Sequence, residues 1–309
     1  MNIHKKFFSK IGFNYLIFGL LALIFQIILV NILGFYDDKL LGNVNVLSIL
    51  SGICNYILPL PIFIYLMRKI ESKTLEKENI NFKKFIIYIA ISLTLMWIGN
   101  IAGLLITSLL SAATHSDISN PVVELINSSN IILNLLLISI IGPVFEELLF
   151  RKILIDRTIK YGAKVSIILS ALLFAFFHGN VNQFFYAFLI GGFFAYVYIN
   201  TGKIKYSIAL HIILNLMGSV VSLFVGEAGQ AIAHNSFNMF DLSIVIIYFI
   251  VIIIAFLIGI YELINYKKSK FNGVKTEIYL KNPLKTVILN PGMIFFMLFF
   301  ICEIIYQLL

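Results

Sequence analysis

The segment EELLFR, residues 146–151, places two carboxylates and a guanidinium at the end of a long apolar run. Helical residues four apart share a face, so Glu147 can pair with Arg151, whereas Glu146 points about 100° away and stays unpaired. Pro143 lies three residues before Glu146 and removes a backbone donor. It is therefore expected to kink or open the helix beside the unpaired carboxylate, where water or a substrate can approach.

Two further segments bring histidine and asparagine into apolar surroundings. FAFFH ends at His178, and HIILN runs from His211 to Asn215, whose side chains share one helix face. Gly162 suits the turn between two helices, and Glu146 and His178 lie 16 residues on either side of it. Both are therefore expected at one level of an antiparallel helical hairpin, about 24 Å from its tip.

Together these side chains have the composition of a hydrolytic site. A free carboxylate can activate water as a general base, and imidazole and carboxamide N–H groups can stabilise an oxyanion. A structural role for each residue alone is the simpler reading: an ion-pair network, hydrogen-bonded core histidines and an amide contact between helices. A charge in the middle of a bilayer costs roughly 2.5–3.5 kcal/mol, and the convergence of all three segments favours catalysis.

The chain that must position these residues has the composition of a membrane protein. It has 309 residues, 60% hydrophobic and 12% charged, with a mean hydropathy of +0.98. We predict one all-α, polytopic transmembrane domain over residues 1–309, with eight or nine spans and the candidate site in spans four to seven. The nine apolar runs, of which the fifth is the shortest, are 12–35, 46–67, 85–112, 128–150, 164–178, 184–200, 204–225, 242–265 and 290–309.

The distribution of basic residues predicts the orientation. With the N-terminus in the cytoplasm and nine alternating spans, 22 of the 23 Lys and Arg residues fall in cytoplasmic loops and only Lys39 falls outside. The net charge of +8 is then matched by anionic lipid headgroups rather than nucleic acid. We predict a multi-pass plasma-membrane protein whose site lies in the cytoplasmic half of the bilayer.

The sequence leaves open whether the site binds a metal ion. Glu146, His178 and His211 can supply three ligands to Zn²⁺, but no H-E-x-x-H pair fixes two of them on one helix turn. The two cysteines, Cys54 and Cys302, lie in apolar runs and have no metal-ligand spacing. Asn100 and Glu303 are further polar residues within spans and receive no role.

The three segments resemble the E-E-x-x-x-R, F-x-x-x-H and H-x-x-x-N/B motifs of the CPBP family, the CAAX-protease and bacteriocin-processing enzymes, also called the Abi family or type II CAAX prenyl endopeptidases. The resemblance covers about residues 128–225 and matches in order and spacing. It implies an intramembrane endopeptidase, glutamate-type or metallo-type, in which Glu146 and His178 activate water. His211 and Asn215 would stabilise the oxyanion, and Glu147 with Arg151 would support the helix. Lys152 departs from the glycine found there in many members.

Two other functions remain open. The fold can serve a non-catalytic bacteriocin-immunity or scaffold protein, although a binding role does not require Glu146, His178, His211 and Asn215 together. It can also serve a secondary transporter with these residues as a proton relay, although no internal repeat is visible. For the peptidase, the expected substrate is a membrane-associated peptide such as a pheromone or bacteriocin, or a membrane-protein tail.

Overall fold

The computed structural model describes residues 2–115, 118, 120–265 and 275–308, which form helices, turns and loops without a strand. All helices except α4, α6 and α10 are long and apolar enough to cross a membrane, eight in the described ranges. The prediction of an all-α polytopic bundle is confirmed. In chain order the helices are α1 Ile3–Tyr36, α2 Val44–Arg68, α3 Phe82–Thr114, α4 Pro121–Ser128, α5 Ile131–Tyr161, α6 Ala163–Phe177, α7 Val181–Thr201, α8 Ile204–Ala233, α9 Met239–Ile264, α10 Pro283–Val287 and α11 Pro291–Leu308.

Asparagine fixes where most of these helices begin. An asparagine side chain accepts hydrogen bonds from backbone N–H groups of the first turn, which have no partner within the helix. Asn238 also forms a capping box with Asp241 at the start of α9. The capping residues are Asn2, Asn43, Asn81, Asn120, Asn130, Asn180 and Asn238.

Helix α6 is too short to be the ninth span. Its 15 residues reach about 22 Å, less than the roughly 30 Å thickness of a hydrocarbon core. The turn at 178–180, where Gly179 has a φ of +65°, returns the chain into α7. The Thr107 hydroxyl of α3 donates to Asn182 Oδ1 at 2.9 Å, and α3 continues past it to Thr114. The α6–α7 hairpin therefore ends inside the bundle.

Helix α7 packs against both α3 and α6, and α11 packs against α1. Close approach of α3 to α7 depends on Gly99, where an added Cβ would lie 2.2 Å from Tyr186 Cα. A sealed aromatic core lies beside the site. In it Tyr15, Phe150 and Phe174 are fully buried, and the Tyr15 hydroxyl donates to the Leu149 carbonyl at 2.6 Å.

The loops that carry the basic residues meet at one end of the bundle. The Lys73 N–H donates to the Asp156 carbonyl at 2.6 Å, joining the α2–α3 loop to the end of α5. The Glu78 N–H donates to Thr201 at 2.8 Å, and the Ile278 N–H donates to the Lys160 carbonyl at 3.0 Å. Three basic residues of the α9–α10 loop, Lys267, Lys268 and Lys270, lie outside the described residues.

Candidate active site

The backbone of α5 changes its hydrogen-bond register around the two glutamates. Residues Asn134–Ile141 and Leu148–Ile153 are π-helical, and Gly142–Glu147 between them is α-helical. The register changes beside Pro143, whose ring nitrogen carries no hydrogen, so the predicted disturbance of the helix is present. π-helical turns within α-helices are frequent at functional sites. Glu146 lies midway along α5, 15 residues from each end.

Asn215 satisfies the carbonyl that this change leaves open. The Gly142 N–H donates to the Leu137 carbonyl, five residues back, and Pro143 has no N–H to donate to Ile138. The carbonyl of Ile138 instead accepts a hydrogen bond from Asn215 Nδ2 of α8 at 2.9 Å. One N–H of this carboxamide is thus used to hold α8 against α5, and the amide has a second N–H.

Glu147 and Arg151 form the predicted ion pair. The Arg151 guanidinium lies 3.0 Å from Glu147 Oε1, and both side chains are completely buried. Arg151 also donates to the Ser170 hydroxyl at 3.2 Å, and its guanidinium lies 4.4 Å from the centre of the Phe174 ring. Because both groups are out of water, the charge of each depends on the other.

His211 lies between the two glutamates. Its Nδ1 is 3.1 Å from Glu147 Oε1 and its Nε2 is 3.5 Å from Glu146 Oε2. A carboxylate paired with Arg151 can only accept, so Nδ1 carries a hydrogen. The Nε2 contact to Glu146 becomes attractive when a proton lies on either group. His211 is 2% exposed, so protein groups surround nearly all of its ring.

His178 ends α6 and forms part of the hairpin tip. Its Nδ1 lies 2.8 Å from the Phe174 carbonyl, which can only accept, so Nδ1 donates and the lone pair of a neutral ring lies on Nε2. The edge of the His178 ring also contacts Phe174. This phenylalanine therefore contacts Arg151, His178 and His211.

One cavity of about 800 Å³ is lined by all four predicted catalytic residues, Glu146, His178, His211 and Asn215. The predicted convergence on a shared void is therefore present. No lysine or arginine lines this cavity in the described part of the chain. The supporting residues Glu147 and Arg151 do not line it, because they are buried behind Glu146.

Sequence reasoning missed Tyr56 of α2. Its hydroxyl donates a hydrogen bond to Glu146 Oε1 at 2.6 Å, and its ring stacks on Phe145 with the planes 13° apart. Glu146, which was predicted to be unpaired, therefore has a neutral hydrogen-bond partner. The sequence contains one sign of this contact, because Asn55 and Tyr56 are adjacent polar residues inside an apolar run. They also fall in a π-helical segment, Ile53–Ile57.

Asn100 and Glu303, which had no predicted role, both line the cavity. Glu303 belongs to α11 and approaches the hairpin tip, since a Cβ added at Gly179 would lie 3.5 Å from its Oε2. Helices outside the three motif segments therefore contribute polar groups to the same space.

The possible zinc ligands do not fit a metal site as they are placed. Among the described residues no group of three His, Cys, Asp or Glu side chains has a geometry that could hold a metal ion. Both nitrogens of His211 face carboxylates, and His178 Nδ1 is engaged by a backbone carbonyl. Glu146, His178 and His211 therefore do not converge as ligands of a three- or four-coordinate metal site.

This arrangement defines a class: a polytopic membrane protein with a buried Glu–His–Asn cluster open to a cavity inside the bundle. Residues 128–217, which contain all three motif segments, match the family model described as type II CAAX prenyl endopeptidase Rce1-like. The resemblance found in the sequence is confirmed for this segment, which is less than a third of the 309 residues. At the level of the family, the match supports a CAAX-protease-like intramembrane endopeptidase domain. No curated protein and no solved structure matches the chain.

Proposed function

We propose that this chain is an intramembrane endopeptidase that hydrolyses a peptide bond with water activated by Glu146. The observation that supports this most is that Glu146, His178, His211 and Asn215 line one cavity within the segment that matches the protease family. We assign the catalytic core to residues 128–225 of a single membrane domain, with Tyr56 of α2 added to the site.

In the proposed reaction Glu146 removes a proton from a water molecule, and His178 Nε2 accepts a second hydrogen bond from the same water. The water oxygen bonds to the carbonyl carbon of the substrate, and the carbonyl oxygen becomes an oxyanion. The Nε2–H of His211, which is present when a second proton makes the ring an imidazolium, and the second amide N–H of Asn215 stabilise that charge. The C–N bond then breaks as the leaving nitrogen takes the proton from Glu146.

Glu147 and Arg151 act through other residues. Glu147 fixes the His211 ring by accepting from Nδ1, which leaves Nε2 for the reacting atoms. Arg151 neutralises Glu147 inside the protein. This division explains why two adjacent glutamates have different partners: one is held by an ion pair, and the other is held by the neutral Tyr56 hydroxyl and stays able to accept a proton.

The proposed location is the plasma membrane, with the N-terminus and the basic loops in the cytoplasm. The substrate is a membrane-associated peptide or a segment of a membrane protein. The immunity, scaffold and transport functions do not require a carboxylate placed beside two imidazoles and an amide. No observation in the described structure therefore favours them over peptide hydrolysis.

Complementation of a deletion strain tests this proposal. The strain receives the wild type, Glu146→Gln or the matched control Glu227→Gln, whose side chain is exposed on α8. Peptides in the membrane fraction are compared by mass spectrometry. We expect wild type and Glu227→Gln to restore one set of cleavage products, and Glu146→Gln to lower them roughly 10²- to 10⁴-fold at equal protein levels. Full restoration by Glu146→Gln would remove Glu146 as the base.

A further inference from the structure

The cavity extends from Glu146 in one direction only. On α5 its lining residues run from Leu133 to Glu146, and none follows Glu146 toward Tyr161. On α8 they begin at His211 and run to Ser219, away from the basic residue Lys205 at the other end of the helix.

The lining residues of α1, α2 and α4 also lie on one side of Glu146. Lining residues on α1 lie between Gly19 and Gln26, and those on α2 lie between Val44 and Tyr56. Helix α4, which follows the end of α3 opposite the basic loops, contributes several more. On α1, α2, α4, α5 and α8 the lining residues therefore lie at or beyond the level of Glu146, on the side away from the basic loops.

The protein is closed on the opposite side of Glu146. Leu149, Phe150 and Leu154 continue α5 toward the basic loops and are fully buried, together with Tyr15 of α1. Exposure rises in the other direction, from 2% for His211 to 50% for Val123 of α4. The short α6 explains the space, because the turn at 178–180 stops inside the bundle and α3 continues past it.

We propose that the substrate reaches Glu146 from the membrane face opposite the basic loops, which the proposed orientation makes the extracytoplasmic face. This inference rests on the proposed peptidase function. It makes the substrate an exported peptide or an extracytoplasmic segment of a membrane protein. The lining suits such a peptide, since it offers amides, hydroxyls and the carboxylates of Glu146 and Glu303 but, within the described residues, no lysine or arginine to bind a terminal carboxylate. This differs from the sequence-based expectation of a site in the cytoplasmic half of the bilayer.

Thiol labelling of the full-length protein in membrane vesicles tests the route. In a Cys302→Ala background the native Cys54 is buried and should not react. Ser51→Cys introduces a near-isosteric thiol in the cavity lining, and Lys205→Cys marks the basic-loop side in the same vesicles. A membrane-impermeant maleimide is applied to right-side-out and inverted vesicles.

We expect Ser51→Cys and Lys205→Cys to be labelled in opposite vesicle types. Labelling of both from the same side, or of Ser51→Cys from neither side, would overturn the proposal. A second thiol variant, Ser48→Cys, is measured in parallel in case the first accumulates poorly. The result does not depend on catalysis, so a chain that proves inactive would refute the peptidase proposal while labelling still decides the route.

A functional readout follows in the same variants. A bulky maleimide on Ser51→Cys should block peptide cleavage, and the same reagent on Lys205→Cys should leave it unchanged. Unchanged cleavage after complete modification of Ser51→Cys would mean that the substrate uses another path, which contradicts the proposal.

Discussion

Asn215 Nδ2 donates to the carbonyl of Ile138, the carbonyl to which Pro143 has no N–H to donate. This links the last motif residue to a proline 72 positions earlier and explains both in backbone terms. A carbonyl left without a donor inside the protein costs about 1–3 kcal/mol. Asn215 is therefore a residue that shapes α5 as well as a candidate donor to the oxyanion.

A double-mutant cycle tests this relationship. We expect Asn215→Leu to lower the free energy of unfolding by about 1–3 kcal/mol, because the Ile138 carbonyl loses its donor. Pro143→Ala restores a backbone N–H at position 143, so the cost of Asn215→Leu should be smaller in that background. Thermal unfolding in detergent measures the stability of the wild type, the two single variants and the double variant. Equal costs in both backgrounds would mean that Asn215 does not replace the donor missing at Pro143.

Tyr56→Phe tests the partner of the proposed base. It removes only the hydroxyl and keeps the stacking on Phe145. We expect kcat to fall roughly 10- to 100-fold with little change in KM, because the variant loses a hydrogen bond to a charged group that orients Glu146. Steady-state cleavage of a substrate peptide identified in the complementation experiment provides the measurement.

Tyr65→Phe is the matched control for that variant, since Tyr65 lies on the same helix and is 61% exposed. Its kinetics should equal those of the wild type. A drop in stability of Tyr56→Phe with unchanged kcat would assign the hydroxyl to folding alone.

Glu147→Gln tests the buried ion pair. It leaves the Arg151 guanidinium buried and without a counter-charge, which is expected to cost about 3–5 kcal/mol of stability. The double variant Glu147→Gln/Arg151→Met removes both charges and should recover most of that loss. Thermal unfolding in detergent compares them. A double variant no more stable than Glu147→Gln would show that the two side chains act separately.

Chelator treatment tests the fit of a metal. Because the described residues do not bring three ligands together, we expect EDTA or phenanthroline to leave cleavage unchanged and the purified protein to contain no stoichiometric zinc. If chelation abolished activity and added zinc restored it, the site would have to rearrange around the ion. Elemental analysis of the same preparation provides a readout that does not depend on activity.

Part of the site could be predicted because it depends on spacing within one helix or one hairpin. The pair Glu147–Arg151 follows from a separation of four residues, and the level of His178 follows from equal distances around Gly162. Tyr56 could not be found in this way, since it belongs to another helix 90 residues away and reaches Glu146 only through packing.

The direction in which the cavity extends also could not be predicted from the sequence. It depends on where α6 ends relative to α3, and apolar composition alone made the run 164–178 resemble a full span. The true length of this helix is set by the turn at His178 and Gly179, where the chain reverses. The predicted eight or nine spans are therefore narrowed to eight candidate spans in the described residues, and the same short helix leaves the space that the cavity occupies.

The placement of Arg151 four residues after Glu147 also has a consequence for biogenesis. The two charges can neutralise each other within a single segment, so the translocon receives α5 with the cost of these two charges lowered. Ser170 and Phe174, which complete the surroundings of the guanidinium, arrive later on a helix too short to cross lipid alone. Membrane integration of α6 and α7 as one re-entrant unit would then close over the arginine only after α5 is in place.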